Sequence, residues 1–433
     1  MTDTTTGDRE DAAVPGRVRG TFSTIVRDFG PGLVTGAADD DPSGIATYAQ
    51  AGAQCGMTLL WTLLLTYPLM SAVQLICAQI GRVTGNGLAT NMRRVFPAEL
   101  AMGLVGLLFI ANVINIGADL AAMGSSAALV TGAPPHVLTA AFAVGSLLLQ
   151  VLVPYHAYAR ILKWLTLILF SYVALLFTVR LDWAAVAAGL VIPHVSSRTA
   201  LVTIVAILGT TISPYLFFWQ SAQEVEEIAD HADDHPLRED GKAAARELAR
   251  MRIDTWSGMA LSNIVAIAIM IGTAATLHAA GKTSIETAAD AAAALQPIAG
   301  RFSFLLFSLG IIGTGLLAVP VLAGSAAYAV AELRGWRSSL SSRFHDAEGF
   351  YAIIIVATLF GIAIDWSPFD PVRALFWSAV LNGVIAVPLL VAIMILASSR
   401  RIMGELPIGG TMRLLGWGTT GFMAVAVAAM VLL

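Results

Sequence analysis

Long apolar runs alternate along this chain with short polar links, and each run is about the length of a membrane-crossing helix. A helix rises 1.5 Å per residue, so crossing the hydrocarbon core takes about 20 mostly apolar residues. On that rule eleven runs qualify, at approximately 31–54, 57–80, 101–130, 136–153, 161–180, 200–226, 254–278, 302–330, 349–364, 374–397 and 412–432. The pattern predicts an all-α polytopic membrane protein, with residues 1–30 as a polar N-terminal tail and 31–433 as one transmembrane domain. The tail has no apolar stretch followed by a small-residue cleavage site, so no cleavable signal peptide is expected. The longest polar link, 229–252, sets Glu239, Lys242, Arg246, Glu247 and Arg250 among good helix formers. It is expected to be a short solvated amphipathic helix. A metal cluster of His231 and His235 with Asp230, Asp233 and Asp234 is the less favoured reading of the same link.

Charge tests the count of spans independently, because Lys and Arg in short loops gather on the cytoplasmic side. With the N-terminus inside, 20 of the 25 basic residues fall on that side. They run from Arg9, Arg17, Arg19 and Arg27 through Arg82, Arg160, Lys163 and Lys242 to Arg343 and Arg413. Arg180, Arg198, Lys282, Arg301 and Arg373 fall opposite. A missed span would scramble this alternation, so eleven spans in an inner membrane are expected, N-terminus cytoplasmic and C-terminus outside. Hydrophobic residues make up 57% and charged residues 12% of the chain, which excludes an ordinary soluble domain. Two cysteines, Cys55 and Cys77, cannot form a disulfide framework or a cysteine zinc site. With no nucleophile–base pair, zinc-ligand spacing or phosphate loop, neither an enzyme nor a cofactor is expected. The partners expected are membrane lipid and a small cation, with no nucleic acid and no evident protein partner.

Two spans are interrupted by helix breakers. The first reads Gly36-Ala37-Ala38-Asp39-Asp40-Asp41-Pro42-Ser43-Gly44, and the sixth reads Gly209-Thr210-Thr211-Ile212-Ser213-Pro214-Tyr215. In a chain of two five-helix repeats plus one helix, these would be the first helix of each repeat. Broken segments at corresponding places in two halves are the best sequence pointer to a transporter's binding site. Proline removes an N–H and frees carbonyls in the preceding turn. In lipid those carbonyls persist only where protein, water or a ligand supplies a partner. Freed carbonyls and the negative end of a half-helix suit a cation. Asp39, Asp40 and Asp41 add carboxylates inside an apolar span, where ionised acids are costly and mark ion pathways. The alternative is that the triplet forms a solvated mouth. Further pathway candidates are Asn115 and Asp119, four residues apart and so on one helix face, and Asn112 in the same span. Glu224 is another, with Glu226, Glu227, Gln220 and Gln223 as a polar outlet or a solvated helix end. Asn382, beside Gly383, completes the set.

The stretch Gly30-Pro31-Gly32 … Asp41-Pro42-Ser43-Gly44-Ile45-Ala46-Thr47 … Gln50-Ala51-Gly52-Ala53-Gln54 … Leu59-Leu60-Trp61 resembles the first two helices of the Nramp family of divalent-metal transporters. Ile207-Leu208-Gly209-Thr210-Thr211-Ile212-Ser213-Pro214 resembles its sixth helix, and Asp119-Leu120-Ala121 extends the likeness. The resemblance implies a LeuT-like 5+5 inverted repeat with an eleventh helix, helices 1 and 6 broken. Repeat 1 would be 31–180, repeat 2 200–397 and the extra helix 412–432.

That family is typified by Asp-Pro-Gly-Asn in its first helix and Met-Pro-His in its sixth. The resemblance carries over Asp41 as the charged ligand and Thr210 as a carbonyl ligand, with Ala38 as a second carbonyl. Three positions depart: Gly44 stands where the family has Asn, Ser213 where it has Met, and Tyr215 where it has His. A thioether helps select transition metals, whereas oxygen ligands suit Mg²⁺ and Ca²⁺. With Ser213 as a neutral oxygen and Asp40 as a supporting or gate acid, the site is expected to take Mg²⁺, with Mn²⁺ second, as in the Nramp-related magnesium transporters. The family's proton relay would need a glutamate at Ala122, a histidine at Tyr215 and an arginine in the ninth span, which has none. Transport with weak or no proton coupling follows. Two other readings use the same scaffold. One is an organic-cation or amine transporter with an aromatic box of Tyr215, Phe217, Phe218 and Trp219. The other is a non-transporting sensor, which would usually need an output domain.

Overall fold

Runs rich in Ala, Leu and Gly have no water to satisfy their backbone in a bilayer, so they close every internal N–H···O=C bond as helix. The computed structural model describes residues 31–153, 166–195, 197–230, 234–239, 244–340, 342, 344–366 and 370–432. The expected tail (1–30), Arg160, Lys163, His231, Asp233, Lys242 and Arg343 lie outside the described residues. No strand occurs among the described residues.

The first half contains α1 (Pro31–Asp39), α2 (Pro42–Cys55), α3 (Leu60–Thr84), α4 (Leu88–Val95), α5 (Ala98–Thr131), α6 (Pro135–Leu152), α7 (Phe170–Leu175) and α8 (Trp183–Val191). The second contains α9 (Arg198–Thr211), α10 (Pro214–Asp230), α11 (Ala244–Thr273), α12 (Ala288–Ala293), α13 (Gln296–Ala299), α14 (Ser303–Arg334), α15 (Glu348–Ile364), α16 (Pro371–Ser398), α17 (Arg400–Met403) and α18 (Gly410–Leu432). Eight helical segments among the described residues are long and apolar enough to cross a membrane, and α15 is a shorter apolar helix. Both interruptions fall where the sequence places them, between α1 and α2 and between α9 and α10.

The broken helices form the centre. The first, α1–α2, packs on α9, α10, α11 and α16, while α5 is enclosed by α6, α14, α15 and α16. Small residues seat the half-helices. A Cβ on Gly36 would lie 2.4 Å from the Gly258 carbonyl, and one on Gly209 1.9 Å from the Ala379 carbonyl oxygen. Backbone meets backbone at both contacts, the close approach that small residues permit between membrane helices. On the outside, Ile110, Val137, Val144, Leu359, Phe360, Leu414 and Val425 are exposed, forming an apolar surface suited to lipid.

Two expectations change. The link 229–252 is not a separate helix: α10 runs to Asp230, residues 234–239 are irregular, and α11 begins at Ala244. Of its charges, Glu247 and Arg250 pair across helices. Only part of the expected span 161–180 is described, as a 3₁₀ turn (Thr166–Leu169) leading into α7.

Candidate metal centre

Each break exposes one particular carbonyl. In an α-helix the oxygen of residue i accepts from the amide of i+4. The i+4 partner of Ala38 is Pro42 and that of Thr210 is Pro214, and neither proline has an amide proton. The ends of α1 and α9 therefore each present a carbonyl without its helical amide partner, and both ends flank Gly44, whose added Cβ would touch Thr210 Oγ1 (3.2 Å) and the Asp39 carbonyl (3.4 Å). Both ends are helix C-termini, the negative pole of the backbone dipole.

Asp41 stands in the gap. It caps α2, with Oδ1 accepting from the Gly44 amide and the Ser43 hydroxyl, each at 2.7 Å. Its other oxygen faces the Asn115 amide nitrogen (3.1 Å) and the Tyr215 hydroxyl (3.4 Å). One carboxylate thus starts a helix and keeps an oxygen for a ligand. Gly44 contributes its amide to this cap.

The surroundings are rich in acceptors and poor in donors. Asp39, Asp40, Asp41, Asn115 and Asp119 are all buried, so the triplet is no solvated mouth. Asp39 Oδ2 and Asp40 Oδ1 both lie within hydrogen-bonding distance of Ser262 Oγ, at 2.7 and 3.0 Å, though a hydroxyl has one proton to give. Asp39 Oδ1, Asn115 Oδ1 and both oxygens of Asp119 have no hydrogen-bond partner among the described residues. No salt bridge reaches any of these acids among the described residues. Buried acceptors are normally satisfied. This set fits a cation.

Ser213 and Tyr215 occupy the second break. Ser213 Oγ lies 2.6 Å from the Thr210 carbonyl and 2.9 Å from that of Gly209. The Tyr215 hydroxyl donates to the Ala38 carbonyl at 3.0 Å. The structure thus brings Ala38, Asp40, Asp41, Gly44, Thr210, Ser213, Tyr215 and Asn115 together, with Asp119 one turn along α5. Asn382 is buried, its amide nitrogen without a partner among the described residues, beside the Gly383–Gly209 contact. Ser262 carried no sequence signal, since an isolated serine in an alanine-rich span looks like a packing residue.

Glu224 lies elsewhere and is not solvent-exposed. Arg250 of α11 reaches Glu224 (3.7 Å) and Glu227 (3.0 Å) of α10, and Arg82 of α3 reaches Asp234 (2.8 Å) and Glu247 (3.3 Å). The Gly32 amide at the start of α1 donates to Asp254 (2.7 Å). These contacts tie α1, α3, α10 and α11 together on the face where α1 begins. Toward the opposite face a cavity of about 400 Å³ opens, lined in part by Ala46, Gln50, Gln54, Thr203, Arg198 and Arg373. One of its lining residues, Ala46, is five residues along α2 from Asp41.

Residues 32–433 match the family model described as natural resistance-associated macrophage protein-like. The chain belongs to the Nramp family. Nramp proteins are membrane transporters, not enzymes, and a metal in this setting is cargo. Among Nramp relatives, a divalent metal cation transporter MntH of Yersinia pestis is 27% identical over 398 residues, 90% of each chain. One of Chromohalobacter salexigens is 28% identical over 304 residues, 66% of each. The crystal structure of the Eremococcus coleocola manganese transporter superposes with a TM-score of 0.75 at 18% identity, covering 97% of this chain and 90% of that one. Mhp1, a nucleobase-cation-symport-1 family transporter, superposes with a TM-score of 0.55 at 13% identity, covering 93% and 91%. The Nramp fold, a LeuT-like bundle with its first and sixth helices broken, is thereby established.

Proposed function

We propose that this Nramp protein carries a divalent cation across the membrane, Mg²⁺ foremost and Mn²⁺ second, without obligatory proton symport. One observation carries the reading: buried acceptor oxygens at the meeting of two helix breaks have no cationic partner among the described residues. The relatives named as divalent metal cation transporters support the substrate class. The donor set supports the choice of ion. Asp41 Oδ2 and the Ala38 and Thr210 carbonyls are all oxygens, and no thioether stands at positions 44, 213 or 215. Oxygen sets suit hard cations, and Mg²⁺ usually keeps several of its waters.

The uncoupled mode rests on what surrounds Asp119. A relay needs successive groups to pass a proton along, and here Ala122 and Tyr215 stand at two of the relay positions. The face where α1 begins is taken as cytoplasmic from the distribution of Lys and Arg. The amine reading loses its box: Trp219 packs against Tyr328 and beneath Gly324, and Phe217 and Phe218 are buried in the core, leaving Tyr215 alone beside Asp41.

The test is flux in liposomes loaded with a Mg²⁺-sensitive dye and a pH dye. Mg²⁺ entry without acidification, abolished in Asp41→Ala, is expected. Mg²⁺ entry with stoichiometric acidification would overturn the uncoupled mode, and no divalent entry through folded protein would overturn the cation reading.

A further inference from the structure

The two carbonyls freed by Pro42 and Pro214 are not vacant: a hydroxyl sits on each. Tyr215 OH lies 3.0 Å from the Ala38 carbonyl, and Ser213 Oγ lies 2.6 Å from the Thr210 carbonyl. Both hydroxyls come from the second break, on either side of Pro214. We propose that Tyr215 and Ser213 are stand-in donors that occupy the ion's carbonyl ligands while the site is empty, and that the ion binds by displacing them. The inference rests on the cation reading and adds to it a determinant of affinity and release.

Three observations carry it. First, the caps land on carbonyls whose i+4 partner is a proline, Tyr215 on Ala38 and Ser213 on Thr210, with Ser213 also 2.9 Å from the Gly209 carbonyl. Second, each hydroxyl has one proton, and that of Ser213 goes to Thr210, the nearer of its two carbonyls. Tyr215 is 3.0 Å from the carbonyl but 3.4 Å from Asp41 Oδ2, so its proton goes to Ala38 and its oxygen crowds the Asp41 oxygen that faces the site. Third, all four participants are buried, so no bulk water can take over the carbonyls if a hydroxyl is removed. A buried carbonyl without a donor is costly.

Ligand exchange follows directly. An ion reaching Asp41 Oδ2 takes the Ala38 and Thr210 oxygens as Tyr215 and Ser213 turn away. On release the hydroxyls return, and the emptied site regains its hydrogen bonds before it reopens. The caps thus weaken binding and favour release. Methionine and histidine at these positions could not donate a hydroxyl proton, so the device belongs to the Ser-Pro-Tyr sequence of this chain.

The experiment measures thermal unfolding of detergent-purified full-length protein against MgCl₂ and MnCl₂ titrations, for wild type, Tyr215→Phe, Ser213→Ala and Asp41→Ala. Removing a cap destabilises only the empty state. Tyr215→Phe and Ser213→Ala should each melt lower than wild type without ion and approach it at saturation. Apparent affinity should rise about three- to tenfold, the range set by one net hydrogen bond. In liposomes KM and maximal rate should fall together, because release slows. A purely structural role would lower melting equally with and without ion. That outcome, or weaker binding in both variants, overturns the stand-in donors. A wild type indifferent to both ions overturns the cation reading itself, a separate failure visible without any variant.

Discussion

Asp41 joins two duties that are usually separate. Through Oδ1 it caps α2, and through Oδ2 it faces the site. Substitutions should separate them. Asp41→Asn retains a side-chain oxygen for the Gly44 amide and removes the charge, whereas Asp41→Ala loses both. An N-cap is worth about 1 kcal/mol, so the Asn variant is expected to unfold at higher temperature than the Ala variant by that margin, while neither responds to Mg²⁺. Equal melting of the two would show that the cap contributes nothing. Much at this scale was legible in the sequence. Proline acts on the residue four before it, so the freed carbonyls follow from positions 42 and 214 alone. Ser262 and the bond from Tyr215 to Ala38 were not legible, because each crosses between helices far apart in the chain.

Helix placement depends on contacts where no side chain fits. A Cβ on Gly209 would sit 1.9 Å from the Ala379 carbonyl oxygen, with no flexible neighbour to yield. Gly209→Ala should therefore push α9 from α16 and cost about 1–3 kcal/mol, the range for overpacking, with loss of transport. Gly103 of α5 has nothing within 4 Å of the added Cβ, and Gly103→Ala should leave transport unchanged. Melting and flux of the pair check both statements; a tolerant Gly209→Ala would mean that α9 is not held by this contact. The charges of 229–252 show why a local pattern misleads at this scale. Glu247, Arg246 and Arg250 have the spacing of a solvated helix, but Glu247 and Arg250 turn toward α3 and α10 and pair there. Periodicity reports a helix; it does not report which face finds a partner.

The whole molecule is asymmetric between its faces. Where α1 begins, Arg82, Arg250 and Asp254 tie four helices together; opposite, a cavity descends toward Asp41. The ion pairs form a closure where α1 begins, while beside them a second cavity of about 500 Å³ opens, lined in part by Gln79, Arg252 and Glu405. Arg250→Ala should weaken that closure by removing the shared partner of Glu224, Glu227 and Glu247. A cysteine introduced at Thr35, buried on α1, should then react with a membrane-impermeant maleimide from the N-terminal side several times faster than with Arg250 intact. Unchanged labelling would place the closure elsewhere. The all-helical membrane bundle was legible because a bilayer imposes a length on every helix, a constraint written into single runs of sequence. Which face is closed was not, since that depends on distances among helices that the runs leave open.

The cavity has a consequence for traffic. Two of its lining residues are arginines, and although Arg373 approaches Glu286 at 3.8 Å, Arg198 has no ion-pair partner among the described residues. With Glu286 on the same wall, the cavity keeps a positive balance that weakly repels a doubly charged ion at its mouth. Dissolved salt flattens such a field over a Debye length of about 8 Å in physiological solution. The entrance therefore works as a toll on the rate of arrival, leaving the depth of the well beneath it untouched. Capture is slow where the surroundings are dilute and quickens in brine.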